Sequence, residues 1–108
     1  MKRYAANRVC NVLSKDTLRN QVVELDENSH QVIRIFRLEG EIRQTEWLGG
    51  VILLANECPS RMQGEKFATF MKRISLMQSA STKLHAYHIT AFDVSSMEFT
   101  TGSRIIYL

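Results

Sequence analysis

The clearest pattern along the chain is a pair of apolar runs separated by a short polar break. The first run contains Val22, Val23 and Leu25, and the second contains Val32, Ile33, Ile35 and Phe36. The break between them, residues 26–30, reads DENSH, and these residue types favour turns. The pattern predicts a β-hairpin with strands Val22–Asp26 and Gln31–Leu38.

The second strand of this hairpin carries apolar residues on both of its faces. Val32, Phe36 and Leu38 alternate on one face with Arg34, while Ile33 and Ile35 share the other with Arg37. Strands that are apolar on both faces are usually covered on both. We therefore expect a centrally buried strand, with the two arginines marking where burial ends.

Two further apolar patterns follow the hairpin. The run VILLA, Val51–Ala55, is short enough to favour a buried strand over a helix. Beyond Pro59 the period changes, and apolar side chains recur at three- and four-residue steps at Phe67, Phe70, Met71, Ile74 and Met77. This spacing predicts an amphipathic helix over about residues 65–79. The first residue of the helix is not decided by the sequence, because Ser60 and Gln63 fit a capping box and the helix could equally begin at Gly64.

The remaining elements are shorter. We expect a turn at residues 14–17, a bend at Gly40 within Leu38–Ile42, and strands over residues 4–13, 44–47, 84–94, 97–100 and 104–108. At 108 residues the chain has the length of a single domain, residues 1–108. The predicted fold class is α+β, mostly β: a small β-sandwich or half-open barrel of about six or seven strands with one amphipathic helix.

Charge is segregated along the chain. Residues 1–19 carry five basic residues and one acidic residue, a net of 5 − 1 = +4. Residues 20–58 carry three basic and seven acidic residues, a net of 3 − 7 = −4. The two segments can neutralise each other within one chain or between copies. A nucleic-acid-binding protein more often gathers a basic surface without an equal acidic block.

The compartment is inferred from the absence of targeting patterns. The start MKRYAANRVC is basic but has no apolar core of a secretory signal, and no apolar run approaches the roughly 20 residues that span a bilayer. The two cysteines, Cys10 and Cys58, form no CxxC motif. We expect a cytoplasmic protein with reduced thiols.

The histidines are candidates for a metal site. His85 and His88 are three residues apart, and on a strand they would point to opposite faces. A third ligand would have to come from His30, Cys58 or a carboxylate. Because zinc sites usually show paired ligand spacings, the structural interpretation is preferred: His85 at the surface and His88 hydrogen-bonded and partly buried. We expect no metal or other cofactor.

Other candidate chemistry also has a plain structural interpretation. Cys58 could be a nucleophile beside a histidine, but it reads better as a small apolar residue near a sheet edge. Gly49 and Gly50 lack the further glycine and the lysine of a phosphate-binding loop, so they indicate a bend or a close approach of the backbone. Lys66, Lys72 and Arg73 form the ordinary solvated side of a helix. Trp47 fits either the core or an interface.

Residues 4–55 resemble the N-terminal segment of the metal-dependent amidohydrolase superfamily. In that family a short strand precedes a hairpin of the type VxxxDxxxxIxxI, which here runs from Val23 through Asp26 to Ile35. A later segment leads into an apolar strand, here Trp47–Leu54. The resemblance implies that these strands join with strands from residues 84–108 in a small β-sandwich, which in the family lies beside a catalytic barrel.

The chain departs from that family where the family's chemistry lies. Members carry a His-x-His metal motif just after the apolar strand, whereas this chain reads Asn56-Glu57-Cys58-Pro59. One helix stands in place of the inserted catalytic barrel. No catalytic residue carries over, so the resemblance implies an accessory β domain standing alone.

The preferred function is a non-catalytic structural or protein-interaction module that associates with itself or with another protein, without nucleic acid or membrane. Self-association would use a sheet edge or Trp47. The first alternative is an anion- or nucleic-acid-binding module that uses Lys2, Arg3, Arg8 and the helix residues Lys66, Lys72 and Arg73. The second alternative is a small metal-dependent hydrolase built on His85, His88 and Cys58.

Overall fold

A computed structural model describes residues 1–40 and 44–108. Its strands are β1 (Lys2–Asn11), β2 (Thr17–Leu25), β3 (Val32–Arg37), β4 (Thr45–Trp47), β5 (Val51–Ala55), β6 (His85–Ile89) and β7 (Ile105–Tyr107). Its helix, α1, is Phe67–Leu76. The α+β, mostly β class is therefore confirmed, with seven strands and one helix among the described residues.

All seven strands belong to one sheet, in the order β3-β2-β1-β5-β6-β7, with β4 also paired to β1. The β1–β2 and β2–β3 pairs are antiparallel, whereas β4 and β5 run parallel to β1 along one side of it. β6 and β7 continue the sheet in antiparallel pairs. The predicted hairpin is thus β2–β3.

The sheet curls until its two halves touch. Gln31, just before β3, forms a bridge with His85 at the start of β6, and the Val32 amide donates to the Leu84 carbonyl over 2.8 Å. The His30 ring nitrogen Nδ1 lies 2.9 Å from the Leu108 carbonyl oxygen at the same junction. These contacts join the sheet ends at one point, which gives the half-open barrel form of the predicted class.

Apolar side chains are buried on both sides of the sheet. The inner cluster lies on the concave side and is formed by Ala6, Val9, Val23, Leu25, Ile52, Leu54 and Ala86. The outer cluster lies between α1 and the sheet, and its strand residues are Cys10, Val12, Val51, Leu53, Ala55, Tyr87 and Ile89. All five residues of β5 are buried, because this strand contributes to both clusters. The predicted burial of VILLA is confirmed.

The helix matches its apolar stripe, with Phe67, Phe70 and Ile74 buried against the sheet. Neither sequence candidate for its start supplies the cap. The N-cap residue is Lys66, which makes no side-chain capping bond. Instead the Phe67 amide donates to Glu98 Oε1 over 2.6 Å, so a residue thirty-one positions away satisfies the first turn.

The expectation for the second hairpin strand is wrong. β3 lies at the end of the strand order, and Ile33 is 46% exposed. A register shift opposite Glu24 and Leu25 places Ile33 outside the regular pairing, which turns this apolar residue toward solvent. The buried partner is β2, in which Val22 to Leu25 are all covered.

Other predicted boundaries also change. The strand predicted over 84–94 ends at Ile89, and Ala91 follows with a positive φ of 48°. The strand predicted over 97–100 is only an isolated bridge between Asp93 and Glu98. Part of the bend predicted at Leu38–Ile42 lies outside the described residues; Gly40 itself has a left-handed φ of +66°.

Candidate protein-interaction surface

Four neighbouring strands carry two rows of side chains on the side of the sheet that faces away from the inner cluster. Cross-strand pairing from β4 through β1 and β2 to β3 aligns Thr45, Arg3, Glu24 and Arg34 in one row, and Trp47, Ala5, Val22 and Phe36 in the next. We call these eight residues the tryptophan face. Side chains in adjacent rows of a sheet are close enough to interact, so they form one surface.

The first row is organised by a buried carboxylate. Glu24 is only 2% exposed and is the one charged residue buried among the described residues. Its Oε2 accepts from Arg3 Nε over 2.7 Å, and its Oε1 accepts from Arg34 Nε over 3.2 Å. The hydrogen bond from Arg3 is the main cause that holds the pKa of Glu24 below its ordinary value of 4.5, and the Arg34 guanidinium adds to it.

Arg34 connects the two rows. While its Nε binds Glu24, its guanidinium carbon lies 4.7 Å from the centre of the Phe36 ring, which is cation–π geometry. The Arg34 side chain remains 61% exposed. The sheet therefore presents a positioned guanidinium stacked on an aromatic ring to the outside.

Trp47 stands at the other end of the second row and is 52% exposed. Between it and Phe36, Ala5 and Val22 form a floor that is 1% and 0% exposed. A half-exposed tryptophan beside a buried floor is the composition typical of interface centres. The structure thus places Trp47 at the surface, where the sequence had left core and interface open.

The Gly49–Gly50 bend follows Trp47 and leads the chain from β4 into β5. Both glycines have left-handed φ values, +69° and +58°. A Cβ at Gly50 would lie 2.9 Å from the Ile89 carbonyl oxygen, so the backbone can pass there only as glycine. The Gly50 amide donates to Asn7 Oδ1 over 2.8 Å, which ties the bend to β1. The two glycines therefore accommodate the backbone, as their spacing indicated.

One buried polar atom on this face has no partner within the part of the chain that the structure describes. Thr45 Oγ1 is buried and makes no hydrogen bond among the described residues. Its cross-strand neighbour is Arg3, which is committed to Glu24.

The metal candidates lie in separate environments. His85 pairs with Ala55 of the outer cluster, whereas His88 pairs with Ile52 of the inner cluster, so the two rings point to opposite faces. His85 Nδ1 lies 3.1 Å from the Tyr107 hydroxyl, and His88 Nε2 lies 3.2 Å from the Gly49 carbonyl oxygen. Burial lowers the pKa of His88.

The cysteines are equally separated. Cys58 is exposed, and Cys10 is buried in the outer cluster, where burial raises the pKa of its thiol. Within residues 1–40 and 44–108 there is no group of three or more histidine, cysteine, aspartate or glutamate residues able to hold a metal ion.

The basic candidates divide into two kinds. The three arginines are engaged within the chain: Arg3 with Glu24, Arg8 through Nη1 with the Asn7 carbonyl over 3.0 Å, and Arg73 with Glu65. The lysines Lys2, Lys66 and Lys72 are exposed, the first on β1, the second at the helix N-cap and the third on α1.

Arg73 shows what these internal pairs do. Its Nε and Nη2 both bind the Glu65 carboxylate over 2.8 Å, and this pairing lowers the pKa of Glu65 to about 2. Nη2 also donates to the Ser60 carbonyl. Arg73 therefore fastens the connector before the helix to the helix itself.

The cluster of Glu24 with Arg3 and Arg34 was not predicted from the sequence, because no sequence motif corresponds to it. The three residues lie 10 to 31 positions apart, and only the register of β1, β2 and β3 brings them together. A signal was nevertheless present: Glu24 stands among Val22, Val23 and Leu25, and a lone carboxylate in an apolar strand needs a cationic partner when it is buried.

Comparisons with known proteins supply no relative. No protein-family model, no curated protein and no solved structure matches this chain. Among the described residues no helix is both long and apolar enough to cross a membrane.

Proposed function

We propose that this chain is a non-catalytic protein-interaction module that self-associates through the tryptophan face. The observation that carries the proposal is Trp47, a large aromatic side chain that is 52% exposed although its cross-strand neighbour, Ala5, is buried. Tryptophan and arginine side chains are among the residues that contribute most to the stability of protein interfaces.

The chemistry of the face supports a protein partner. Arg34 offers a guanidinium that is already oriented by Glu24 and Phe36, so little side-chain freedom is lost when it binds. The chain itself carries the complementary charge, since residues 20–58 have a net charge of −4 by the count above. A second copy can therefore supply carboxylates to the arginine of the first.

The anion- or nucleic-acid-binding alternative has less support. Arg3, Arg8 and Arg73 bind acceptors within the chain, which leaves the scattered lysines as its basic groups. The hydrolase alternative needs His85, His88 and Cys58 to converge, and the two histidines lie on opposite faces of β6.

Two broader proposals accompany this function. The resemblance to the accessory β domain of amidohydrolases is compatible with a stand-alone interaction module, since the curled sheet is present and no family metal motif is. A cytoplasmic location is supported by two free cysteines, one buried and one exposed, which the fold does not pair.

The test is the mass in solution by light scattering, over a range of concentrations and at low and high salt, with metal content measured on the same sample. We expect a metal-free dimer or larger assembly for the natural chain and a monomer for Trp47→Ser. Met62→Ser is the control, because Met62 is also an exposed large apolar residue, at 61%.

Three outcomes would contradict the proposal. A natural chain that is monomeric under every condition removes self-association. Equal mass for Trp47→Ser and the natural chain removes Trp47 as the contact. Stoichiometric metal in the purified protein would favour the hydrolase alternative.

A further inference from the structure

A second surface lies between the β1–β2 turn and the outer side of α1. It is an open cleft made of two adjoining cavities of about 290 and 430 Å³. We call it the helix groove and define it by Lys15, Phe67, Ala68, Met71, Lys72 and Leu76. No residue of the tryptophan face lines it.

The base of the groove is preformed. Phe67 is 8% exposed, and its ring packs edge-on against Phe92 and Phe99, with ring centres 4.8 and 5.6 Å apart. The first turn of α1 is fixed by the bond from the Phe67 amide to Glu98. A rigid base lowers the cost of binding, because little has to be ordered.

One wall is a tight turn that holds Lys15 in place. Lys15 has a left-handed φ of 63°, and its amide donates to the Asn11 carbonyl over 2.8 Å. Asn11 Oδ1 also accepts from the Leu13 and Ser14 amides over 3.0 and 3.2 Å. The lysine therefore projects from a well-defined backbone rather than from a loose loop.

The other wall is the side of α1 that carries Ala68 and Leu76, both of them exposed. Leu76 is 87% exposed, the highest value among the large apolar residues that the structure describes. A cleft with an apolar base and an exposed leucine at its rim is typical of a binding site.

The charges at the groove have one sign. Lys15 and Lys72 border both cavities, and Arg73 borders the second. Arg73 is neutralised by Glu65, whereas no carboxylate of the described residues lines either cavity. Two lysines thus flank an apolar cleft and favour an occupant that is apolar in the middle and negative beside it.

We propose that the helix groove binds an acidic amphipathic segment of another protein, with apolar side chains in the cleft and carboxylates against Lys15 and Lys72. The concave shape fits a helix or extended segment, which presents apolar residues at regular steps. This proposal uses a different surface from the tryptophan face, so either one can fail while the other holds.

The probe is a dye-labelled synthetic peptide with leucines at three- and four-residue steps and glutamates elsewhere. A matched peptide carries lysine at every glutamate position. Fluorescence anisotropy should show binding of the glutamate peptide and little binding of the lysine peptide. In NMR spectra of the protein, the backbone amide shifts that the glutamate peptide perturbs should centre on Ala68 and Leu76.

The variants separate the groove from general charge. Lys15→Glu combined with Lys72→Glu should weaken binding of the glutamate peptide at least about ten-fold, because each reversal replaces an attraction with a repulsion. Lys83→Glu makes one such charge reversal at an exposed residue that lines neither cavity and should have no effect. Circular dichroism confirms that each variant is folded.

Several results would overturn the proposal. They are no binding of the glutamate peptide to the natural chain, equal binding of both peptides, or equal weakening by Lys83→Glu. Vesicles of phosphatidylserine and phosphatidylcholine are the second probe. Co-sedimentation with them in the absence of peptide binding would assign the groove to a lipid surface instead.

Discussion

The buried carboxylate of Glu24 provides the sharpest test of the fold. Replacing it by glutamine keeps the size of the side chain but removes the charge that Arg3 and Arg34 share. The variant leaves two guanidinium groups next to each other with only a neutral amide between them. We expect Glu24→Gln to fold and to be less stable.

The size of the loss follows from the two hydrogen bonds. The 2.7 Å bond from Arg3 joins a 3% exposed carboxylate to a side chain that is 27% exposed, and charged hydrogen bonds of this kind contribute about 1.5–3 kcal/mol. The 3.2 Å bond from Arg34 adds less, because that side chain is 61% exposed and water can replace the pairing. The net loss should be about 2 kcal/mol, below the roughly 3–5 kcal/mol for breaking a fully buried pair.

The assay is urea unfolding followed by circular dichroism at neutral pH, with thermal unfolding beside it. A loss of about 2 kcal/mol corresponds to a fall in Tm of roughly 10 °C for a domain of this size. Glu46→Gln is the control, since Glu46 is exposed on β4 and makes no ion pair among the described residues.

The pH dependence gives an independent check. Because the folded pKa of Glu24 lies below its ordinary value of 4.5, the carboxylate stabilises the fold above that pH. The contribution is lost as the pH falls below 4.5 through the folded pKa, so the natural chain and Glu24→Gln should converge there. Two results would refute the reasoning. One is a difference in unfolding free energy below about 0.5 kcal/mol at neutral pH, which is within the range of ordinary surface substitutions. The other is a difference that stays the same as the pH falls below 4.5.

Two further predictions follow from single contacts. Gly50→Ala should lower the free energy of unfolding by well over 1 kcal/mol, because the new Cβ meets the Ile89 carbonyl oxygen at 2.9 Å in addition to the left-handed strain of about 1–2 kcal/mol. In Gly64→Ala the new Cβ meets nothing within 4 Å, so urea unfolding should show the loss from strain alone. Equal losses of stability in the two variants would contradict this. A thiol reagent should label exposed Cys58 in the folded protein and buried Cys10 only on unfolding, so labelling of both at one rate would be inconsistent with the structure.

Local pattern predicted the β2–β3 hairpin, β5 and α1. The polar break at residues 26–30 gave the β2–β3 turn, and the period of three and four residues gave α1 to within two or three residues at each end. These predictions succeed because backbone periodicity and turn chemistry act between near neighbours. The five-residue run VILLA also predicted its own burial, since a strand apolar at every position must be covered on both faces.

The errors arose where a neighbour in the sheet decides the outcome. The apolar sequence of β3 predicted a central strand, yet the strand order puts β3 at the edge and the register shift turns Ile33 outward. The helix start could not be read from residues 60–66, because its cap comes from Glu98. Neither pairing order nor a long-range cap leaves a periodic signal in one sequence.

The candidate surfaces show the same division. The sequence by itself determined a mostly β domain with one amphipathic helix, and it identified Trp47 and the helix lysines as residues to examine. Only the tertiary structure decided that Trp47 is exposed, that Glu24 lies between two arginines, and that Lys15 and Lys72 border one cleft. The reason is physical: burial and charge pairing depend on contacts between residues far apart in the chain, and strand register fixes those contacts.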